Sequence, residues 1–160
     1  MTTPVQQCQP CPPRARARTD EDIAVINAVA LAVPLDTVTY DRGDMHNPAN
    51  PSRLTVPAGW AGSYSAGANV RFLAGTDDAG LGYRTLQVRL NGTIIIASQQ
   101  IPDVKLGTEP TDLNVHTDYE LLAGDYIELV VRQGMTTPES IAVDMVAEFS
   151  AALWLTGLHR

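Results

Sequence analysis

Cys8 and Cys11, spaced as Cys-Gln-Pro-Cys, are the first residues in the chain able to do chemistry. A zinc site needs four ligands, and the histidines lie far away at His46, His116 and His159. A thioredoxin-type pair sits between a strand and a helix, whereas this one lies in a Pro-rich stretch. The two residues read as tail thiols, with an inter-chain disulfide or a metal shared in an oligomer as alternatives. His46, with Asp41 and Asp44, forms a second cluster. A metal or acid–base site needs several convergent groups, so one His beside two loop carboxylates reads first as a hydrogen-bonded loop.

Asp77-Asp78 and the pair Asp112 and Asp118 could attract calcium. That ion takes about six to eight oxygen ligands, and no acidic loop here is spaced to supply them. Arg42-Gly43-Asp44 spells a cell-adhesion tripeptide, but a Gly between charges is also ordinary turn chemistry. Asn91-Gly92-Thr93 is a formal glycosylation sequon whose Asn and Gly already have a turn to make. No Ser-His-Asp order, Gly-rich phosphate loop or Cys-His pair has the flanking structure its motif requires. The reading is therefore no enzyme, no cofactor and no metal.

The elements that position these residues centre on Leu86 to Ile96. Leu86, Val88 and Leu90 alternate with Gln87 and Arg89, which is the pattern of a half-buried strand. Asn91-Gly92 supplies two residues that tolerate positive φ, as a two-residue type I′ turn demands. Thr93 to Ile96 is β-branched and suits the returning strand of a hairpin over 84–98. Further strands are expected at Val38–Tyr40, Arg53–Val56, Leu113–Leu121, Tyr126–Arg132 and Phe149–Leu155. Ile23 to Val33 and residues 139–145 are ambiguous between helix and strand. Gly62 and Gly67 mark bends or the close approach of a neighbouring backbone. Loops fall at 41–52, 75–82 and 102–110. Many short strands between Gly, Pro and Asn turns predict an all-β fold, a single jelly-roll β-sandwich.

The 160 residues suit one domain, with no apolar run long enough for a transmembrane helix. Residues 1–22 read as an extended Pro/Arg-rich N-terminal arm, ordered only against a partner, and 23–160 as the jelly-roll domain. The start has no secretory pattern, which predicts synthesis in a cytoplasm. The net charge of −7 is uneven. Residues 1–19 carry Arg14, Arg16 and Arg18 and no acid, while the rest carries 8 basic and 18 acidic residues. An acidic body argues against nucleic acid, whose phosphates need a basic footprint. No membrane partner is expected either.

Four runs, in order, resemble a jelly-roll family of tailed-bacteriophage virion proteins. These are Thr37-Val38-Thr39-Tyr40-Asp41 before Asp44-Met45-His46; Ser52 to Pro57 with Gly62-Ser63-Tyr64 and Asn69 to Phe72; Leu90-Asn91-Gly92-Thr93; and Tyr119-Glu120-Leu121 with Ala123 to Leu129. Phe149 to Leu155 is similar to that family's closing strand. The family is distantly similar to the complement globular heads and the tumour necrosis factor superfamily. The resemblance implies a homotrimer with a structural or binding role and no catalysis. It implies a capsid decoration, cement or head-spike protein that partners the major capsid protein or other virion proteins. Attachment is then expected through the arm, by Cys8, Cys11, Arg14, Arg16 and Arg18. The alternative is a receptor-binding fibre tip whose loops present Asp41, Arg42, Asp44, His46, Asp77 and Asp78. A bacterial adhesion or carbohydrate-binding domain outside any phage is a third reading.

Overall fold

The computed structural model describes residues 11–73, 82–103, 110–134, 139–142 and 151–158. Among these, every regular element is a strand. In chain order they are β1 (Arg14–Arg18), β2 (Ile23–Val25), β3 (Leu31–Ala32), β4 (Thr37–Arg42), β5 (Arg53–Thr55) and β6 (Gly62–Phe72). There follow β7 (Gly82–Leu90), β8 (Ile94–Asp103), β9 (Thr111–Leu121), β10 (Tyr126–Gln133), β11 (Glu139–Ala142) and β12 (Ala152–Gly157). The first sheet runs β4-β1-β12-β6-β9, with β11 and β2 continuing beyond β12 along the same edge of β6. The second runs β8-β7-β10, and both β3 and β5 pair with the far edge of β10. All named strand pairings are antiparallel, and the expected jelly-roll sandwich is present.

Alternation builds the core between the sheets. Tyr64, Val70 and Phe72 from β6, Leu113 from β9 and Leu153 and Leu155 from β12 face Leu86, Val88, Ile127 and Leu129 from the other sheet. One cation is enclosed at the edge of this core. Arg84 is 3% exposed, with its guanidinium 5.7 Å from the Phe72 ring centroid. It donates to Thr111 Oγ1 and to the Leu73 carbonyl, the latter at 3.3 Å, which offsets its desolvation.

The Asn91-Gly92 turn forms, but the hairpin loop has three residues, Asn91 to Thr93, where two were expected. Asn91 and Gly92 have φ of 51° and 75°, and Thr93 N donates to Leu90 O at 3.2 Å. The ladder then resumes as Leu90 opposite Ile94, with a register shift between Val88 and Arg89. The returning strand therefore starts at Ile94, leaves Ile94 and Ile95 exposed, and runs on to Asp103 through Pro102, which had been expected in a loop. The Asn91 side chain clasps the neighbouring turn. Its Nδ2 donates to Asp125 Oδ1 at 2.8 Å, and its Oδ1 accepts from Tyr126 N at 3.1 Å. Asp125 Oδ2 in turn accepts from Leu122 N at 2.8 Å.

One expectation needs correction, and two ambiguities are settled. Residues 14–18 are not part of a free arm. β1 lies inside the sheet between β12 and β4, with Ala15 and Ala17 fully buried. The Arg-Ala-Arg-Ala-Arg alternation puts methyl groups into the core and charges outside, so few apolar atoms suffice. The domain thus begins before residue 22. Pro12 and Pro13 also pack on Gly157, whose N–H donates to Pro13 O at 2.8 Å. Ile23 to Val33 is no helix: β2 and β3 belong to different sheets, and the chain crosses through Ala28 at φ 58°. Glu139–Ala142 is a strand, and the closing strand runs to Gly157. Residues 143–150, including Phe149, lie outside the described residues.

Two outcomes test this account. Asn91→Ala loses both side-chain bonds and the ease of positive φ, and should destabilise by about 1–3 kcal/mol in thermal unfolding. Deleting residues 1–18 should abolish the cooperative transition seen by circular dichroism, because β12 and β4 lose their shared partner. A truncated chain that still melts cooperatively would refute the structural role of β1.

Candidate binding face

The outer face of the first sheet gathers the sequence's exposed chemistry. Cross-strand register aligns its side chains in rows. One row reads Arg42, Arg14, Thr156, Ser65, Asp118. The next reads Tyr40, Arg16, Trp154, Gly67, His116, and a third holds Arg18, Ala152, Asn69, Asn114. Residues directly opposite one another share a face, so these side chains all point away from the core.

The middle row is flat and closely packed. The Trp154 indole lies on Gly67, where an added Cβ would sit 2.3 Å from Cζ2. This is the close approach expected at Gly67, made by a side chain in place of a backbone. The Arg16 guanidinium stacks 5.7 Å from the indole centroid, and Arg14 lies 5.4 Å from the Tyr40 ring. Arg16 Nε is shut off from solvent with no hydrogen-bond partner among the described residues. At the β9 side, Ser65 Oγ and His116 Nε2 are 2.7 Å apart, and Ser63 donates to Glu120. Arg71 makes a bidentate pair with Asp112, both bonds at 2.7 Å, and Arg18 pairs with Asp20 at 3.1 Å. Among the described residues, no third side chain bonds to the His116 ring, the place an orienting partner takes in a nucleophilic triad.

The loop residues singled out by sequence are brought together only in part. The Asp41 carboxylate is spent on its own loop, accepting from Met45 N at 3.0 Å and His46 N at 2.9 Å. His46 Nε2 instead lies 3.3 Å from Pro51 O. Gly43 has φ 113°, and a Cβ there would stand 3.0 Å from Pro13 Cβ and 3.2 Å from Pro57 Cγ. The Arg42-Gly43-Asp44 triplet thus contains a packing glycine, and Arg42 joins the row of Arg14. Cys11 is exposed and free. Cys8, Asp77 and Asp78 lie outside the described residues. Among the described residues, no three His, Cys, Asp or Glu side chains are grouped to hold a metal.

Sequence reasoning missed a cluster on the second sheet. Arg53 donates to the Glu128 carboxylate at 3.0 Å and stacks 4.0 Å from the Tyr126 ring centroid. The hydrogen bond to Glu128 raises the Arg53 pKa above its usual value, partly offset by desolvation. Seventy-five residues separate the pair, so no local pattern signals it.

No protein-family pattern matches the chain, and no curated protein matches it in sequence. Solved structures do match. Eiger TNF from S. frugiperda superposes with a TM-score of 0.59 at 14% identity, covering 93% of this chain and 94% of that one. Murine APRIL superposes with a TM-score of 0.60 at 12% identity, covering 92% and 99%. The chain has a tumour-necrosis-factor-like jelly-roll fold. At these identities the likeness is one of fold.

Gly67→Ala is expected to lift the indole off the sheet. In a Trp60→Phe background, Trp154 emission should shift to the red, with a loss of about 1–3 kcal/mol from overpacking. Unchanged emission would show that the indole does not rest on Gly67.

Proposed function

We propose that this chain is a homotrimeric virion structural protein of a tailed bacteriophage, decorating or cementing the capsid shell or forming a head spike. The outer face of the first sheet packs around the three-fold axis. The observation that carries the trimer is the middle row of that face. Trp154 and Arg16 form a flat, stacked surface on the outside of the sheet. Both side chains are only half-buried, which leaves an aromatic and cationic surface for a second copy to cover. Closed cyclic assembly is a common way for such subunits to cover a second face.

The phage context rests on the four sequence runs that resemble virion jelly rolls. The mode of attachment differs from the one expected from sequence. Arg14, Arg16 and Arg18 are committed to β1, so the segment left to reach a capsid or neighbouring subunit is the one ahead of Pro12. It includes Cys8 and Cys11.

Two measurements test the proposal. Light scattering on the purified protein should return three times the chain mass. Quantitative mass spectrometry of purified particles should find about one copy per few major capsid subunits. A few dozen copies per particle or fewer would move the function to a fibre tip. Absence from particles would overturn both phage readings and leave a bacterial adhesion module.

A further inference from the structure

The charge on the outer face of the first sheet is divided between its two flanks. Arg42 and Arg14 stand at one end of their row and Asp118 at the other, with Thr156 and Ser65 between. All three charged residues are exposed. Arg14 and Asp118 are three strand spacings apart, roughly 14 Å, too far for an ion pair within one chain. Arg18 and Arg71 differ, since each has a carboxylate of its own chain in contact.

We infer that this face docks head to tail on a second copy, the β1–β4 flank of one meeting the β9 flank of the next, with Arg14 paired to Asp118 across the contact. The inference rests on the proposed trimer and names the groups that close it. Symmetry supplies the argument. A rotation axis running along the strands leaves every residue at its own height. Cross-strand partners share a height, so a row meets only the same row of the neighbouring copy. Arg42 and Arg14 therefore face Asp118, and Arg16 faces His116. Each copy offers a basic flank to one neighbour and an acidic flank to the other, which is the heterologous contact from which closed rings are built. Opposite exposed charges also set the register and speed encounter.

Charge reversal tests this directly. Arg14→Glu sets an acid against Asp118, and Asp118→Lys sets a base against Arg14. Each should raise the trimer dissociation constant by about tenfold or more in sedimentation equilibrium. The double variant R14E/D118K restores opposite charges between positions 14 and 118 at every contact, with Arg42 left facing the new lysine, and should recover a large part of that loss.

An equimolar mixture of the two single variants reads the symmetry. Its contacts match only where the variants alternate around a ring. Alternation closes in rings of even number, and every ring of three keeps at least one like-charge contact. A mixed ring has one like-charge contact where each variant alone has three, so the mixture should regain part of the trimer and fall short of the double variant. A mixture that assembles fully as a dimer or tetramer overturns the three-fold head-to-tail contact. A double variant that stays dissociated, while the parent protein is trimeric, overturns the Arg14–Asp118 pairing and leaves the trimer standing. A parent protein that is monomeric at every concentration overturns both. Circular dichroism checks each variant's fold. Should a reversal unfold the chain, Arg14→Gln and Asp118→Asn serve instead: each should remove most of the salt sensitivity of assembly, and unchanged sensitivity overturns the pairing.

Discussion

β1 is the strand on which the first sheet depends. Five residues complete the backbone hydrogen bonding of β12 on one side and β4 on the other. Its two alanines occupy fully buried core positions. Its three arginines all emerge on the outer face. A single alternating pentapeptide therefore closes the sheet, seals the sandwich and makes one flank of the binding face basic. The same geometry binds the preceding prolines, because Pro13 continues the β1 path to Gly157 and Gly43.

Much of the fold was legible before any coordinates. Asn91-Gly92 named its turn because only a few residues accept positive φ, and Leu113 to Leu121 and Tyr126 to Arg132 showed their alternation. β1 was hidden by its composition. Arginines and prolines resemble a solvated tail, and alanine contributes little to any hydrophobic count. Ile23 to Val33 was ambiguous because the segment changes sheets, so neither a period of two nor one of 3.6 persists along it. Ile94 and Ile95 look like core residues in sequence. The register shift and the edge position of β8 leave them exposed.

The site was less legible than the fold, for a reason of geometry. A row such as Arg42, Arg14, Thr156, Ser65 and Asp118 draws on five strands spread over most of the chain. Only register brings these residues together, and register is a property of pairing. What the sequence did contain was the imbalance itself, a basic start on an acidic body. Folding turns that imbalance along the chain into a polarity across one face, since β1 and β9 lie at opposite flanks of β12 and β6. The Asp41 loop shows the converse. Its three acid and imidazole groups are close in sequence, yet the Asp41 carboxylate is used up by the backbone it bends.

The bond from Gly157 N to Pro13 O places both ends of the described fold side by side, at the end of the sandwich that also holds the turns at Gly43 and Pro57. Ends so close can be joined by a short linker and the chain reopened elsewhere, at an exposed turn, without breaking a core strand. Segments joined at Pro13 and at Gly157 would start from the same end of the sandwich.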